Sequence, residues 1–307
     1  MVFLRKSTSR RSLFRLGLLS YLSIPLINLS KVFGFNLFKT PQQIPKIGLQ
    51  LNSLNKELKN YPKETVKKIS FIGYAGLETP HTFNGISVDD YGKIIKKSGL
   101  DVMAMHTELP LDKMSKENVL KRAKTFKCNR IIWHGLPEST SYKSEEGIAR
   151  LANKYNLANS FAKESGLSFG IHNHWWEFEK LTNGKLPFDI LLNLLDKDIF
   201  FELDVYWIAV AGQNPVDIIR KLGKRASILQ VKDGPAIWAP ILDEPVPYPV
   251  LALGTGNMNY PAIFEASNGN AEWIIVDIEA CDTDLTQALY ESYKYLAISN
   301  NYGSGLK

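Results

Sequence analysis

From Pro45 onward the hydrophobic and polar positions repeat in two parts: a short apolar run, then a longer segment with apolar residues every three or four positions. The first part is the pattern of a buried strand and the second that of an amphipathic helix. Candidate strands begin near Lys46, Gly73, Leu100, Arg130, Leu167, Ile199, Ser227 and Trp273. They are separated by roughly the ~30 residues of one strand–helix unit, with a longer stretch before the last. Between them the pattern predicts helices over 65–69, 88–97, 115–126, 144–165, 188–195, 215–222, 260–266 and 284–299. Helix-starting residues agree, such as Ser115 with Asn118 three on, and Asn214 followed by Pro215 at the first helical position. Eight such units predict an α/β chain folded as a (β/α)8 TIM barrel, a single domain over 41–307. The alternative, a doubly wound open sheet, normally has fewer units and a glycine-rich first turn, which is absent.

A barrel of this kind carries its chemistry at the C-terminal ends of its strands. Polar residues collect there in this chain, and of the five histidines only His81 falls elsewhere. Strand alternation then selects which of them face the lumen. With Phe169, Ile171, Phe201, Leu203, Val205, Leu229, Val231, Ile274, Val276 and Ile278 facing the helix layer, the inward set is His172, His174, Glu202, Asp204, Gln230, Lys232, Asp277 and Glu279. Four neighbouring strands therefore converge imidazoles, carboxylates, an amide and an ammonium on one mouth.

Composition changes the picture in one respect. The 307 residues carry a net charge of +6, but residues 1–40 hold seven basic side chains and no acid, leaving the rest at −1. The near-neutral body has no basic field to recruit nucleic acid or anionic membrane, so the expected partner is a small molecule. Hydrophobic residues at 45% and charged residues at 22% fit an ordinary globular chain and exclude disorder or a polytopic membrane protein. Cys128 and Cys281 are too few for a metal cluster or a disulfide framework. Residues 1–40 themselves form a basic stretch through Arg15 followed by an apolar run, Leu16 to Leu29, broken by Ser20, Ser23 and Pro25. The run is too short and interrupted for a membrane span. Ser9-Arg10-Arg11-Ser12-Leu13-Phe14-Arg15 resembles the twin-arginine export motif, which implies a periplasmic or otherwise exported protein with no stable membrane insertion after processing. The alternative is an amphipathic N-terminal anchor.

The barrel segment resembles the xylose-isomerase-like family of sugar phosphate isomerases and epimerases. The likeness rests on Gly166 to His174 (GLSFGIHNH) with Glu177-Phe178 following, on Phe201 to Trp207 (FELDVYW) with Ala211-Gly212 and Pro215, on Val231-Lys232-Asp233, and on Gly254-Thr255-Gly256. The resemblance implies one divalent cation (Mn, Mg, Zn or Co) at the ends of strands five to eight, with His172, Asp204, Gln230 and Asp277 as its ligands. Two of these depart from the family's pattern: Gln230 stands where the family has histidine, and Asp277 where it has glutamate, with Glu279 two residues on. An amide oxygen is a weaker donor than imidazole for a transition metal.

The implied reaction removes a proton beside a sugar carbonyl, which needs a base near the C–H and a positive charge beside the developing oxyanion. Asp277 is the expected base and Lys232 the expected oxyanion partner, with a rim salt bridge to Asp233 as the structural alternative for Lys232. Glu78, His106, His134, His174, Trp207 and Glu279 are the expected substrate contacts. Trp133, Trp175, Trp176, Tyr206 and Trp238 add flat rings near strand ends that suit the C–H faces of a sugar. The proline-rich stretch from Gly234 to Gly256 is expected to lie over the mouth as a semi-rigid lid. Two other readings stand beside this one: a carbohydrate-binding barrel that has lost its metal, and a metal-dependent phosphodiesterase of the endonuclease-like branch. The oligomeric state is left open.

Overall fold

In the computed structural model, residues 44–83, 85–135, 138–237, 250–267, 269–278, 281 and 284–303 are described; the expected export segment lies outside them, as do Trp238 and Glu279. Eight strands run β1 Lys46–Gln50, β2 Gly76–Thr79, β3 Asp101–Thr107, β4 Arg130–Trp133, β5 Ser168–His172, β6 Phe200–Asp204, β7 Ile228–Val231 and β8 Trp273–Val276. They form a closed parallel barrel in sequence order, with β8 pairing back onto β1. This is the predicted TIM barrel.

Two separate apolar cores follow from the alternation of side chains. The larger lies between strands and helices and takes the outward residues, among them Phe169, Phe201, Leu203, Leu229 and Ile274. The smaller fills the lower lumen with Met103, Ala104, Ile132, Ile228, Trp273 and Ile275, and Phe200 packs against it. Its large side chains fit because neighbouring strands carry glycine. A Cβ would lie 2.6 Å from Ile275 at Gly48, 2.6 Å from Trp273 at Gly76 and 2.3 Å from Phe200 at Gly170. The lumen above this plug is left to polar side chains.

Most helices fall where the periodicity places them, but the first is longer, Pro62–Ile72 against 65–69, the short helices Asn55–Asn60 and Val205–Val210 are not foreseen, and three boundaries need correction. The helix predicted from Ser115 starts at Lys113, because the Asp112 carboxylate caps it and Ser115 closes a reciprocal capping box. Gly73 does not open the second strand. It ends the preceding helix with φ +117°, a conformation open to glycine, and β2 starts at Gly76. Val205 is not part of strand six: the Asp204 side chain accepts hydrogen bonds from the amides of Tyr206 and Trp207, turning the chain into the helix Val205–Val210. Asn214 caps Pro215–Leu222 as expected. Among the described residues no helix is long and apolar enough to cross a membrane. Burial pushes the Cys128 thiol up to about 11, which keeps it unreactive.

Candidate functional site

Above the apolar plug the lumen holds two polar groups, one above the other along the strands. In the deeper one, Gln50 Nε2 donates to Glu78 Oε2 at 2.7 Å. His106 Nε2 stands 2.8 Å from Glu202 Oε2 and 3.4 Å from Glu78 Oε2. His172 Nδ1 is 3.2 Å from the same Glu202 oxygen. All are almost completely buried, so their charges are set by one another. Burial, reinforced by the nearby Glu202 charge, holds the Glu78 carboxyl well above the usual carboxylate range. For Glu202 burial acts in the same sense but is outweighed by His106 and His172, which hold its carboxyl well below that range. Burial also opposes a charge on His172, and the hydrogen bond and charge of Glu202 overcome it, raising the imidazole. The deeper group thus holds a protonated carboxyl, a carboxylate and a proton-attracting imidazole side by side.

The upper group is built from the ends of β6, β7 and β8. Lys232 Nζ lies 2.9 Å from Asp204 Oδ2 and 2.8 Å from Asp277 Oδ2, and all three side chains are shielded from solvent. A buried ammonium requires such partners. The rim salt bridge to Asp233 does not form. Asp233 instead fastens the β7–β8 connection, its carboxylate accepting from the amides of Gly234, Gly254 and Met258. Only glycine fits at position 256, where a Cβ would lie 2.2 Å from Asp233 Oδ1. The middle of the expected lid, 238–249, lies outside the described residues.

The two aspartates differ in what their oxygens do. Asp204 Oδ1 accepts from the amides of Tyr206 and Trp207 at 3.0 and 3.1 Å, and Oδ2 faces Lys232. Its backbone is clamped to the end of β5 by Asn173, whose Oδ1 accepts from Asp204 N–H at 3.0 Å and whose Nδ2 donates to the Asp204 carbonyl at 3.2 Å. Among the described residues, Asp277 Oδ1 has only a long 3.3 Å hydrogen bond from Ser53. Asp204 is therefore fixed through Oδ1 and its backbone, with Oδ2 ion-paired to Lys232 but without a hydrogen bond among the described residues, while Asp277 gives Oδ2 to the ammonium and keeps Oδ1 turned away from it.

Aromatic rings line the remaining side. The Trp207 ring lies beneath Lys232, 5.4 Å from ring centroid to Nζ, and packs on Trp175. His174 stacks on Trp176 with centroids 4.2 Å apart and meets His172 edge-on at 4.9 Å. His134 stacks on His81 at 4.5 Å. Burial, with neighbouring imidazoles adding to it, lowers His134 to about 3 and His174 well below the ordinary histidine range, so both rings are neutral. Glu177 Oε2 accepts from the His174 amide at 3.0 Å, and burial pushes its carboxyl up to about 7.

Residues 66–297 match the family described as the xylose isomerase-like TIM barrel. The chain belongs to this family. A curated relative, inosose dehydratase of Clostridium botulinum (strain Alaska E43 / Type E3), is 24% identical over 147 residues, 44% of this chain and 48% of that one. The chain thus spans about half the length of the curated relative it matches. Among solved structures, a sugar phosphate isomerase/epimerase from Parabacteroides distasonis ATCC 8503 superposes with a TM-score of 0.66 at 22% identity, over 82% of this chain and 93% of that one. The IolI protein, crystallised with a zinc atom, superposes with a TM-score of 0.63 at 10% identity, over 85% of this chain and all of the other, 100%.

Membership of this xylose isomerase-like family raises the question of a metal, and the chain's own donors answer it unevenly. The expected ligands do not meet around an open position. Asp204 and Asp277 converge, but on the Lys232 ammonium. His172 turns to Glu202, and the buried Gln230 Oε1 has no hydrogen-bond partner among the described residues. A different set does meet: His106, His172 and Glu202 offer ligand atoms within 4.8 Å of one another, a buried group that could hold a metal ion. Beside it, Glu78 Oε1 and Glu202 Oε1 are buried oxygens with no hydrogen-bond partner among the described residues, which a cation would satisfy.

Of the residues expected to touch substrate, Glu78 and His106 belong to the deeper group, His174 and Trp207 flank the upper one, and His134 stacks on the half-exposed His81. Glu202 was placed inward by alternation but given no role. Ser53 and Asn173 were missed. Asn173 lies within the motif that carries the family likeness, whereas Ser53 sits in a short turn after β1 and reaches Asp277 only through barrel closure.

Proposed function

We propose that the protein is a sugar isomerase or epimerase, or a lyase sharing the same first step, removal of a proton from the carbon beside a carbonyl. The observation that carries this reading is the buried Lys232 ammonium bridging two carboxylates of which one, Asp277, retains a usable oxygen. Proton abstraction beside a carbonyl needs a base and a positive charge within reach of each other. Asp277 takes the proton as the C–H electron pair moves into the carbon–carbon bond and the carbonyl oxygen gains charge. The Lys232 ammonium stabilises that oxyanion. Return of the proton to the opposite face gives an epimer. Its return to the former carbonyl carbon, with the hydroxyl proton of the first carbon passing to the former carbonyl oxygen, gives the aldose–ketose isomer. Loss of a hydroxyl from the next carbon as water, taking up the abstracted proton, gives a dehydratase.

Asp204 acts by holding Lys232, and Asn173 by holding Asp204. The neutral imidazoles of His134 and His174 can each donate and accept, which suits sugar hydroxyls. The Trp207 ring supplies an apolar face. Glu78 and His106 bind deeper hydroxyls, and Glu279 is proposed as a further substrate contact. A divalent ion held by His106, His172 and Glu202 would supply Lewis-acid polarisation of a substrate oxygen. The N-terminal basic segment is proposed as an export address, to be tested by fractionating cells that express the full chain and its Arg10→Lys/Arg11→Lys variant.

The reaction is tested by incubating the full chain with keto-sugars and aldoses in deuterated water. Deuterium incorporation next to the carbonyl, lost in Asp277→Asn, is the expected result. Absence of exchange with every sugar class, or exchange that survives Asp277→Asn, overturns the reading.

A further inference from the structure

The convergence of Asp204 and Asp277 on Lys232 bears on more than the proton-transfer step. We infer that Lys232 is a built-in cation that excludes a divalent metal from the position where Asp204 and Asp277 converge, the position that a ligand set of His172, Asp204, Gln230 and Asp277 would need. The three charged groups come from the ends of consecutive strands, paired β6 to β7 and β7 to β8. The ammonium stands 2.9 and 2.8 Å from the two carboxylate oxygens that face the shared position. A divalent ion binding the same oxygens would sit roughly 2.0–2.6 Å from them, in the space the ammonium fills. At such separation in a buried site the two cations repel strongly.

The lysine is held in place and is not a mobile tail. Its carbonyl accepts a hydrogen bond from the Tyr260 hydroxyl. Its ammonium lies over the Trp207 ring, and the next residue, Asp233, is fixed by three backbone amides. The other two donors do not compensate. His172 is engaged by Glu202, and Gln230 brings a neutral oxygen where a transition metal would favour imidazole or carboxylate. The chain has thus exchanged an external cation for a covalently attached one at the mouth, while the deeper His106–His172–Glu202 group remains a separate matter.

The test reads metal binding and needs no substrate, so it stands or falls apart from the proposed reaction. Mn²⁺ binding to the full chain is measured by electron paramagnetic resonance and calorimetry for wild type, Lys232→Ala, Lys232→Met and each of these combined with Asp277→Asn. Removing the ammonium is expected to create a Mn²⁺ site at least about 10²-fold tighter than any Asp277-dependent binding in the wild type. The new site should raise the melting temperature of the variant and vanish when Asp277→Asn is added. Lys232→Met keeps the length of the side chain and guards against collapse of the alanine variant. The inference is overturned if neither variant gains Asp277-dependent Mn²⁺. It is equally overturned if the wild type already holds a metal that Asp277→Asn removes, a comparison that needs no lysine variant to fold.

Discussion

The two halves of the barrel lumen share the same strands and the same alternation, yet they are built on opposite principles. Toward the N-terminal ends, inward positions carry Phe200, Ile228, Trp273 and Ile275, with glycines at 48, 76 and 170 leaving room for them. Two residues further along the same strands the inward positions carry Glu202, Gln230 and Asp277, and the corresponding positions of β1 and β2 carry Gln50 and Glu78. The first half gains stability from burial and shape. The second buries Asp204 and Asp277 against the Lys232 ammonium and, below them, Glu78 and Glu202 against His106 and His172, an arrangement whose desolvation cost is offset only by these pairings. Stability and chemistry are thus separated by one step of the strand repeat, and substitutions on either side of that step should have separable consequences.

The sharpest test of the lower half is Trp273→Ala. It removes the largest side chain of the plug from a site walled by Gly48 and Gly76, which cannot collapse to fill it. Unfolding in urea should show a loss of about 4–5 kcal/mol. Turnover per folded molecule should change little, because Trp273 touches none of the polar groups above it. In the upper half the pattern reverses. Asp277→Asn should lower kcat about 10²- to 10³-fold, or about 3–4 kcal/mol in the barrier. It should also cost some stability because the buried ammonium keeps only Asp204 as a charged partner, but less than Trp273→Ala because the amide oxygen still accepts from Lys232. A variant of either residue that lost both properties in equal measure would break the division.

The buried Glu177 sharpens the comparison from the side of the substrate-facing aromatics. Its carboxyl is pushed up to about 7 from 4.5 by burial, and its Oε1 has no hydrogen-bond partner among the described residues. A carboxyl whose folded value is raised contributes stability that is fully present below the unfolded value, and that is lost as pH rises through the folded one. Glu177 therefore favours the fold below pH ~4.5 and loses that contribution progressively by pH ~7, a change of up to about 3 kcal/mol. Glu177→Gln keeps an oxygen for the His174 amide and has no proton to lose. The difference in unfolding free energy between the variant and the wild type should rise in favour of the variant across this window and level off above it. A constant difference would show that the carboxyl is not protonated in the fold.

Which of these features could be foreseen depends on whether local pattern or closure produces them. The strands, the helices and the inward phase of His172, Glu202, Asp204, Lys232 and Asp277 all follow from residue spacing, because a period of two and a period near 3.6 are local properties. The convergence of Lys232 on Asp204 and Asp277 was not legible, since the same residues are compatible with a cation ringed by ligands. Only the side-chain lengths and the register of three strands decide between the two. The errors at Gly73, Ser115 and Val205 share one cause. At each, a capping interaction with a residue one to three positions away resets an element boundary that hydrophobic periodicity cannot see. The pairing of His106 with Glu202 joins β3 to β6 across the lumen and depends on the closed barrel.

Ser53 is the clearest product of closure and gives the smallest expected effect. Its hydroxyl donates to Asp277 Oδ1 at 3.3 Å and accepts from the Ile278 amide at 3.2 Å, so it links the turn after β1 to the end of β8. The hydroxyl orients the oxygen that Lys232 does not engage, which makes Ser53 a positioning residue for the base. Ser53→Ala removes one hydrogen bond of ordinary strength, about 1 kcal/mol, so kcat should fall about fivefold with KM unchanged. Ser53→Thr, which retains the hydroxyl, should restore most of the rate. A role limited to holding the amide of Ile278 would lower stability in Ser53→Ala and leave kcat where it was. The kcat-to-KM split therefore decides whether the polar half of the lumen extends its organisation into the first strand–helix unit.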